Sequence, residues 1–453
     1  MQHIANNLVF GFIRNPEGRY VGELTQWNDP PQKQALHEGS ALVSTYQPRT
    51  IHYQECPMTN YRKFAVISSL VLVAAIMAPA ADARTKVIAM NGKNGNAPTS
   101  APSCIAQSSG PEWCYGTTYL GGADNYGSLY KVRPDGSKHT ILANFVGNNG
   151  LTPSQQPVLS ADGNFLFGTT SQAGTAGSGT IYQYDMTTGV LATIGSFTGK
   201  TGTTPQAPPI LVGDILYGVT GQSGANGVGT VWAFDSKNHA AGVKVLHHFE
   251  GGKTDVATPF GALTFNPQDG LLYGMAFNGA ANNQGGIFSI RPDGSNYTLR
   301  ASFSQATGGA PQMGALLLAS DGYMYGNGWM GGANNDGTIF KFDPATSSIT
   351  PIFNYTNETG TMPYGGVAES PSGAWLYAAT WKGGKNGIGT LVAVKKDGSE
   401  SKVLINFNKN TGGLTTGGVT LDSTGKYIMA VGSAKGKHNI GTLISVEIPK
   451  SVQ

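Results

Sequence analysis

Tyr325–Asp343 reads Tyr-Gly-Asn-Gly-Trp-Met-Gly-Gly-Ala-Asn-Asn-Asp-Gly-Thr-Ile-Phe-Lys-Phe-Asp. Two short runs of alternating apolar and polar residues, Tyr323–Gly326 and Thr338–Phe342, flank a loop dense in glycine and asparagine. That order of residue types predicts strand, loop, strand. The pattern returns at Tyr115, Phe167, Tyr217, Tyr273, Tyr325, Tyr377 and Met429, with spacings of 52, 50, 56, 52, 52 and 52 residues. The downstream glycine keeps step at Gly127, Gly179, Gly229, Gly285, Gly337, Gly389 and Gly441. Seven copies in register make this a repeat protein, and the repeat governs every other reading.

Working outward, each unit divides into four predicted strands. The first follows a proline (Pro153, Pro205, Pro259, Pro311, Pro363) and runs, in the fifth unit, from Pro311 to Ser320 before the turn Asp321-Gly322. Asp-Gly tolerates positive φ and is a strong hairpin signal. The second strand carries the Tyr-Gly pair. The third is Gly-Thr-Ile-Phe-Lys-Phe-Asp and its relatives, and the fourth ends on an aromatic: Phe145, Phe197, Phe249, Phe303, Tyr355 or Phe407. Length changes fall between strands. The third unit gains residues around Lys237–Gly242 and two more between Phe249 and Pro259, while Val212-Gly213-Asp214 shortens a neighbouring opening hairpin. Loops tolerate such changes and ladders do not.

Four antiparallel strands in each of seven units of about 50 residues predict an all-β, seven-bladed β-propeller. The last copy stops after its third strand, at Thr442–Ile448, and Thr85-Lys-Val-Ile-Ala-Met90 resembles a fourth strand. The amino-terminal strand is therefore expected to complete the seventh blade, Val87–Met90 pairing with Leu443–Val446. An open solenoid is the alternative, but it leaves both ends with unpaired edges.

The spacing of Tyr-Gly-Thr-Thr, Gly-Gly, Gly-Thr-x-Tyr/Phe, Asp-Gly and the terminal Phe resembles the GloVer tandem-repeat family of bacterial envelope proteins. Tyr115–Tyr130, Phe167–Tyr182 and Tyr325–Phe340 carry the resemblance, which spans roughly residues 100–445. It implies an exported protein with no defined activity. Relatives often carry a carboxy-terminal anchor, whereas this sequence reaches Gln453 without an apolar tail.

Composition bounds the function. Charged residues make up 12% and hydrophobic residues 40% of the 453-residue sequence, which argues for a packed fold over disorder. The net charge is +3, with no basic run beyond Lys395-Lys396, so a nucleic-acid partner is not expected. Residues 58–83 read as a signal peptide: Arg62-Lys63, the apolar run Phe64–Ala78, then Ala81-Asp82-Ala83, with cleavage before Arg84. The run is shorter than a comfortable span of about 20 residues, so no stable membrane insertion is expected after cleavage. Residues 1–57 then read as a non-structural leader and a start-site error, and residues 84–453 as the propeller. Cys104 and Cys114 are expected to form a disulfide in an oxidising compartment, periplasmic or extracellular.

Candidate chemistry is sparse. Asp135, Asp162, Asp269, Asp293, Asp321 and Asp397 all sit in Asp-Gly turns, which explains them. Glu112, Glu250, Asp255, Asp336, Glu358 and Glu369 are scattered over different loops. His247 and His248 are neighbours on a strand and face opposite sides, so they make poor joint metal ligands. Gly199-Lys200-Thr201 lacks the earlier glycine of a phosphate loop, Ile194 standing in its place. No cofactor and no metal are expected. One slot stands out. Four residues beyond the Tyr-Gly anchor lie Tyr119, Ser171, Gly221, Phe277, Trp329, Trp381 and Ser433. Phe277, Trp329 and Trp381 occupy consecutive units and are expected to form an arc at one mouth of the ring, with Tyr119 in the same slot. Asn282, Asn334, Asn335 and Asn386 are the neighbouring amides.

The leading expectation is a monomeric, non-catalytic binding module for a glycan or envelope component. The alternatives are a hydrolase or lyase acting on a polysaccharide or lactone, which requires carboxylates or histidines converging on the axis, and a protein-interaction scaffold, which requires an apolar patch on the rim.

Overall fold

The computed structural model describes residues 11–14, 20–23, 83–105, 110–153 and 155–453. The chain divides into two units, Met1–Ala75 and Ile76–Gln453. In the first, Gly11–Arg14 and Tyr20–Glu23 pair as an antiparallel hairpin. The leader and signal-peptide readings otherwise concern residues outside those described.

The second unit is a ring of seven antiparallel sheets, the arrangement of a seven-bladed propeller. Blade five shows the plan, with strands Leu317–Leu318, Met324–Gly328, Thr338–Asp343 and Ser348–Asn354 hydrogen-bonded in chain order. Blade seven closes the ring. Its first three strands, Thr420–Leu421, Tyr427–Gly432 and Thr442–Glu447, are joined by the amino-terminal Thr85–Ala89. The register runs Val87 to Ile444 and Ala89 to Thr442, and the Met90 N–H continues to the Gly441 carbonyl at 3.1 Å. Met90 is fully buried in the place that Phe145, Phe197, Phe249, Phe303, Tyr355 and Phe407, also fully buried, hold in the other blades.

The Tyr-Gly motif has a packing cause. The glycine of the second strand pairs across the ladder with a large ring of the third: Gly116 with Tyr130, Gly168 with Tyr182, Gly218 with Trp232, Gly274 with Phe288 and Gly326 with Phe340. A Cβ on Gly274 would lie 2.3 Å from the Phe288 ring. In blades six and seven the ring is replaced by Val392 and Ile444, and the glycine becomes Ala378 and Ala430. The exchange keeps volume roughly constant, as close packing requires. Four of these rings meet the terminal aromatic of the preceding blade edge to face, and Tyr130 packs with Met90 instead. Phe145–Tyr182, Phe249–Phe288 and Phe303–Phe340 all have centroids 5.1 Å apart, and Phe197–Trp232 5.2 Å. This seam is the core. It lies between blades, so a single unit has nothing to bury its face against.

The first strand is shorter than expected. Only Leu317–Leu318 of Pro311–Ser320 joins the ladder in blade five, because the preceding segment turns in against its neighbours at the axis. There Gly261, Gly314 and Gly365 abut the backbones of Gly314, Gly365 and Gly418 in the next blade, leaving no room for a Cβ. Gln155 of blade two reaches across the ring to the Met313 sulfur of blade five at 3.9 Å, so side chains occupy the axis.

Cys104 and Cys114 are bonded and directly opposed in the opening hairpin of blade one. Closing so small a loop contributes about 2–3 kcal/mol. Replacing both cysteines by serine is expected to lower the denaturation midpoint accordingly. Without reductant neither thiol should be alkylated, which intact-mass measurement checks.

Candidate functional site

In this meander the loops between second and third strands lie at the same end of the blades as the crossings from one blade to the next. The aromatic slot opens at that end. In blade five the loop after the slot is held from two sides. Asn334 donates to the Tyr355 carbonyl at 2.9 Å, and the Ala333 N–H donates to Asn354 Oδ1 at 2.8 Å. Asn282 and Asn386 donate to the Phe303 and Phe407 carbonyls, each at 2.8 Å. Asn335, at φ 58°, accepts from the Gly331 N–H at 3.2 Å and from Gln305 Nε2 at 3.1 Å. The four amides thus fasten their own loops, and the recurrence of Asn in the sequence reflects that shared fastening.

The rings do come together. Phe277 and Trp329, in adjacent blades, have centroids 6.3 Å apart. Trp329 meets Tyr364 at 5.8 Å, and Tyr364 meets Trp381 at 5.7 Å. Phe260 extends the row behind Phe277 at 6.4 Å and covers Gly221 of blade three. Five aromatic side chains form an unbroken arc over blades four to six. Tyr119 stands apart in blade one, separated from the arc by blade seven, whose slot holds Ser433.

Exposure divides the arc. Trp329 and Tyr364 are 8% and 6% exposed and pack with Ala310, so Trp329 is a buried support and not the open platform its position suggested. Phe260, Phe277 and Trp381 are half-buried, and Met330 beside them is 37% exposed. Lys382 lies 4.3 Å above the Trp381 ring. Phe260 and Tyr364 lie outside the slot that the repeat singles out. Both directly follow the repeat proline, at Pro259 and Pro363, where other units carry Gln206, Gln312 or Thr416.

The structure also assembles a group that sequence spacing scattered. Asp255, 5% exposed, accepts the Glu250 and Val256 N–H groups, each at 2.7 Å, and the Tyr297 hydroxyl. His247 Nε2 lies 3.3 Å from Asp255 Oδ2, and the His247 ring stacks on Tyr297 with centroids 3.6 Å apart. Burial alone would raise the Asp255 pKa, but the bonds from His247, Tyr297 and the two N–H groups outweigh it and hold the carboxyl below its usual value. Burial and the hydrogen bond to Asp255 push the Tyr297 hydroxyl far up. Asp255 sits in the lengthened crossing between Phe249 and Pro259, and that insertion was its only signal. His248 goes elsewhere, its Nδ1 accepting the Ala225 N–H at 3.1 Å.

This group has the residue types of acid–base chemistry but not the geometry. The Asp255 carboxylate already accepts from three hydrogen bonds besides its His247 contact, which suits a clasp holding the crossing between blades three and four. The repeat positions equivalent to Gln155 and Met313, which meet across the ring, are Ser100, Ala207, Gly261, Gly365 and Gly417, none of them an acid or a base. Among the described residues no group of three His, Cys, Asp or Glu is arranged to hold a metal ion. The turn carboxylates behave as turns: Asp135, Asp293 and Asp397 each accept the N–H two residues on, at 2.8, 2.8 and 2.9 Å. The large exposed apolar residues among those described, Tyr126, Val190 and Met330, belong to three different blades.

The model of the Gloeobacter/Verrucomicrobia repeat matches residues 100–327 and 215–444. No curated protein matches. Among solved structures, oligogalacturonate lyase from Vibrio parahaemolyticus is 11% identical, with a TM-score of 0.52 over 82% of this chain and 99% of that one. The extracellular domain of a hybrid two-component system from B. thetaiotaomicron is 14% identical, with a TM-score of 0.50 over 82% and 40%. TolB from Acinetobacter baumannii is 16% identical, with a TM-score of 0.38 over 61% of this chain and 58% of that one. At these identities the likeness is one of fold. No helix among the described residues is long and apolar enough to cross a membrane.

Proposed function

The chain belongs to the Gloeobacter/Verrucomicrobia repeat family, and from that premise we propose that it is an exported, non-catalytic binding propeller whose aromatic mouth takes a glycan or another envelope component. The observation that carries this reading is the unbroken arc from Phe260 to Trp381, confined to three adjacent blades. Blades two, three and seven fill the same slot with Ser171, Gly221 and Ser433, so ring packing at this position is not a requirement of the fold. Half-exposed aromatic faces suit the C–H-rich faces of sugars, and the few charges nearby favour neutral glycans. Export is supported by the signal-like residues 58–83 and by the disulfide.

The test is a glycan-array screen of residues 84–453, repeated with Phe277→Ala/Trp381→Ala. Each ring contributes on the order of 1 kcal/mol, by analogy with aromatic pairs. The double variant is therefore expected to bind the selected glycan at least about tenfold more weakly while keeping its fold. Undiminished binding by the variant, or no retained glycan at all, rejects the reading.

A further inference from the structure

A second site lies at the opposite end of the strands, where blade three departs from the repeat. In blades four and five the tyrosine of the Tyr-Gly motif is satisfied by the opening hairpin. Tyr273 donates to Asp269 and Tyr325 to Asp321, each at 2.8 Å, from a carboxylate four residues earlier. In blade three that position is Gly213, because the hairpin is shortened. Tyr217 is 6% exposed, yet its hydroxyl donates to no described group.

The space beside it is not closed over. The Lys237–Gly242 insertion folds back as a short 3-10 turn, His239–Ala241, with the His239 ring stacked on Phe234 at 5.8 Å. Between this turn and blade four lies a groove of about 360 Å³, walled by Ile215, Phe234, Leu246 and Pro292, with Tyr217 in its lining. That volume is within the range of small-molecule sites, roughly 300–1,000 Å³. One deletion thus removes the tyrosine's partner, and one insertion in the same unit builds a wall opposite it. Asp235 and Lys244 stand at the rim with opposite charges, and Asp293 of blade four feels the charge of Lys244.

We propose that this groove binds a neutral, ring-bearing small molecule whose carbonyl or ether oxygen accepts the Tyr217 O–H. The apolar walls take the ring. The Tyr217 hydroxyl supplies the one directional contact, and the rim carries charges of both signs, Asp235 and Asp293 against Lys244. The site is independent of the aromatic mouth.

Methyl NMR of residues 84–453 titrated with acetophenone tests the assignment, with benzoate and benzylamine as charged counterparts of the same ring. Saturable shifts are expected at the Ile215 and Leu246 methyls. Tyr217→Phe should weaken binding about tenfold, the scale of one hydrogen bond. Phenylalanine is tolerated in that slot, since Phe167 holds it in blade two, so the variant is expected to fold. Ala241→Trp, which narrows the groove from the inserted turn, should abolish the shifts. The proposal is overturned if acetophenone leaves both methyls unmoved, if Tyr217→Phe binds equally well, or if benzoate or benzylamine binds more tightly.

Discussion

Trp329→Ala is expected to lower the unfolding free energy by about 3–5 kcal/mol, the range for truncating a buried aromatic. Trp329 is 8% exposed and sits between Phe277 and Tyr364, so its removal opens a cavity between blades five and six that the flanking rings cannot fill. Its Nε1 is buried without a hydrogen-bond partner, so Trp329→Phe discards an unsatisfied donor while keeping most of the ring and should cost much less. Chemical denaturation of both variants checks this through the shift in midpoint at constant slope. A loss below about 1 kcal/mol for Trp329→Ala, the size expected at an exposed site, would show that the ring is free at the mouth after all.

The second large effect concerns Asp255. Removing its side chain leaves the Glu250 and Val256 N–H groups and the Tyr297 hydroxyl without their acceptor and His247 without its carboxylate partner. Each such loss costs about 1–3 kcal/mol where water cannot substitute. Because the crossing can partly open to solvent, Asp255→Ala is expected to cost about 3–5 kcal/mol in all. The pH dependence follows from the lowered folded-state pKa of Asp255. A carboxyl held below its unfolded value of ~3.9 contributes stability that is complete above that value. The contribution disappears as the pH falls through the depressed folded value. Wild-type protein should therefore lose stability more steeply in acid than Asp255→Ala, and thermal melts from pH 6 to pH 2, values chosen to bracket roughly both pKa values, are the check. Parallel acid limbs in the two proteins would remove Asp255 from the account.

Repeat arithmetic carried the architecture because the repeat is itself a packing device. The fourth-strand aromatic, the second-strand glycine and the third-strand ring recur every 50 to 56 residues, since each blade must meet the next through the same seam. The closing strand was legible for the same reason: Thr85–Met90 has the pattern of the strand that blade seven lacks, and Met90 fills the aromatic's place. Turn carboxylates and loop asparagines were also legible, because their partners lie within a few residues or within one blade.

What the sequence determined by itself is therefore whatever is local or periodic: the seven units, their strand order, the ring closure and the cysteine pair. Only the tertiary structure decided which aromatic faces reach solvent. Trp329 and Trp381 share a repeat position, yet Tyr364, following Pro363, buries the first and leaves the second half open. It alone brought His247, Asp255 and Tyr297 together, and it alone left Tyr217 facing a groove. The physical reason is the same in each case. Burial and hydrogen-bond satisfaction are set by side chains from a neighbouring blade and by single insertions or deletions, and neither carries a periodic signal along the chain.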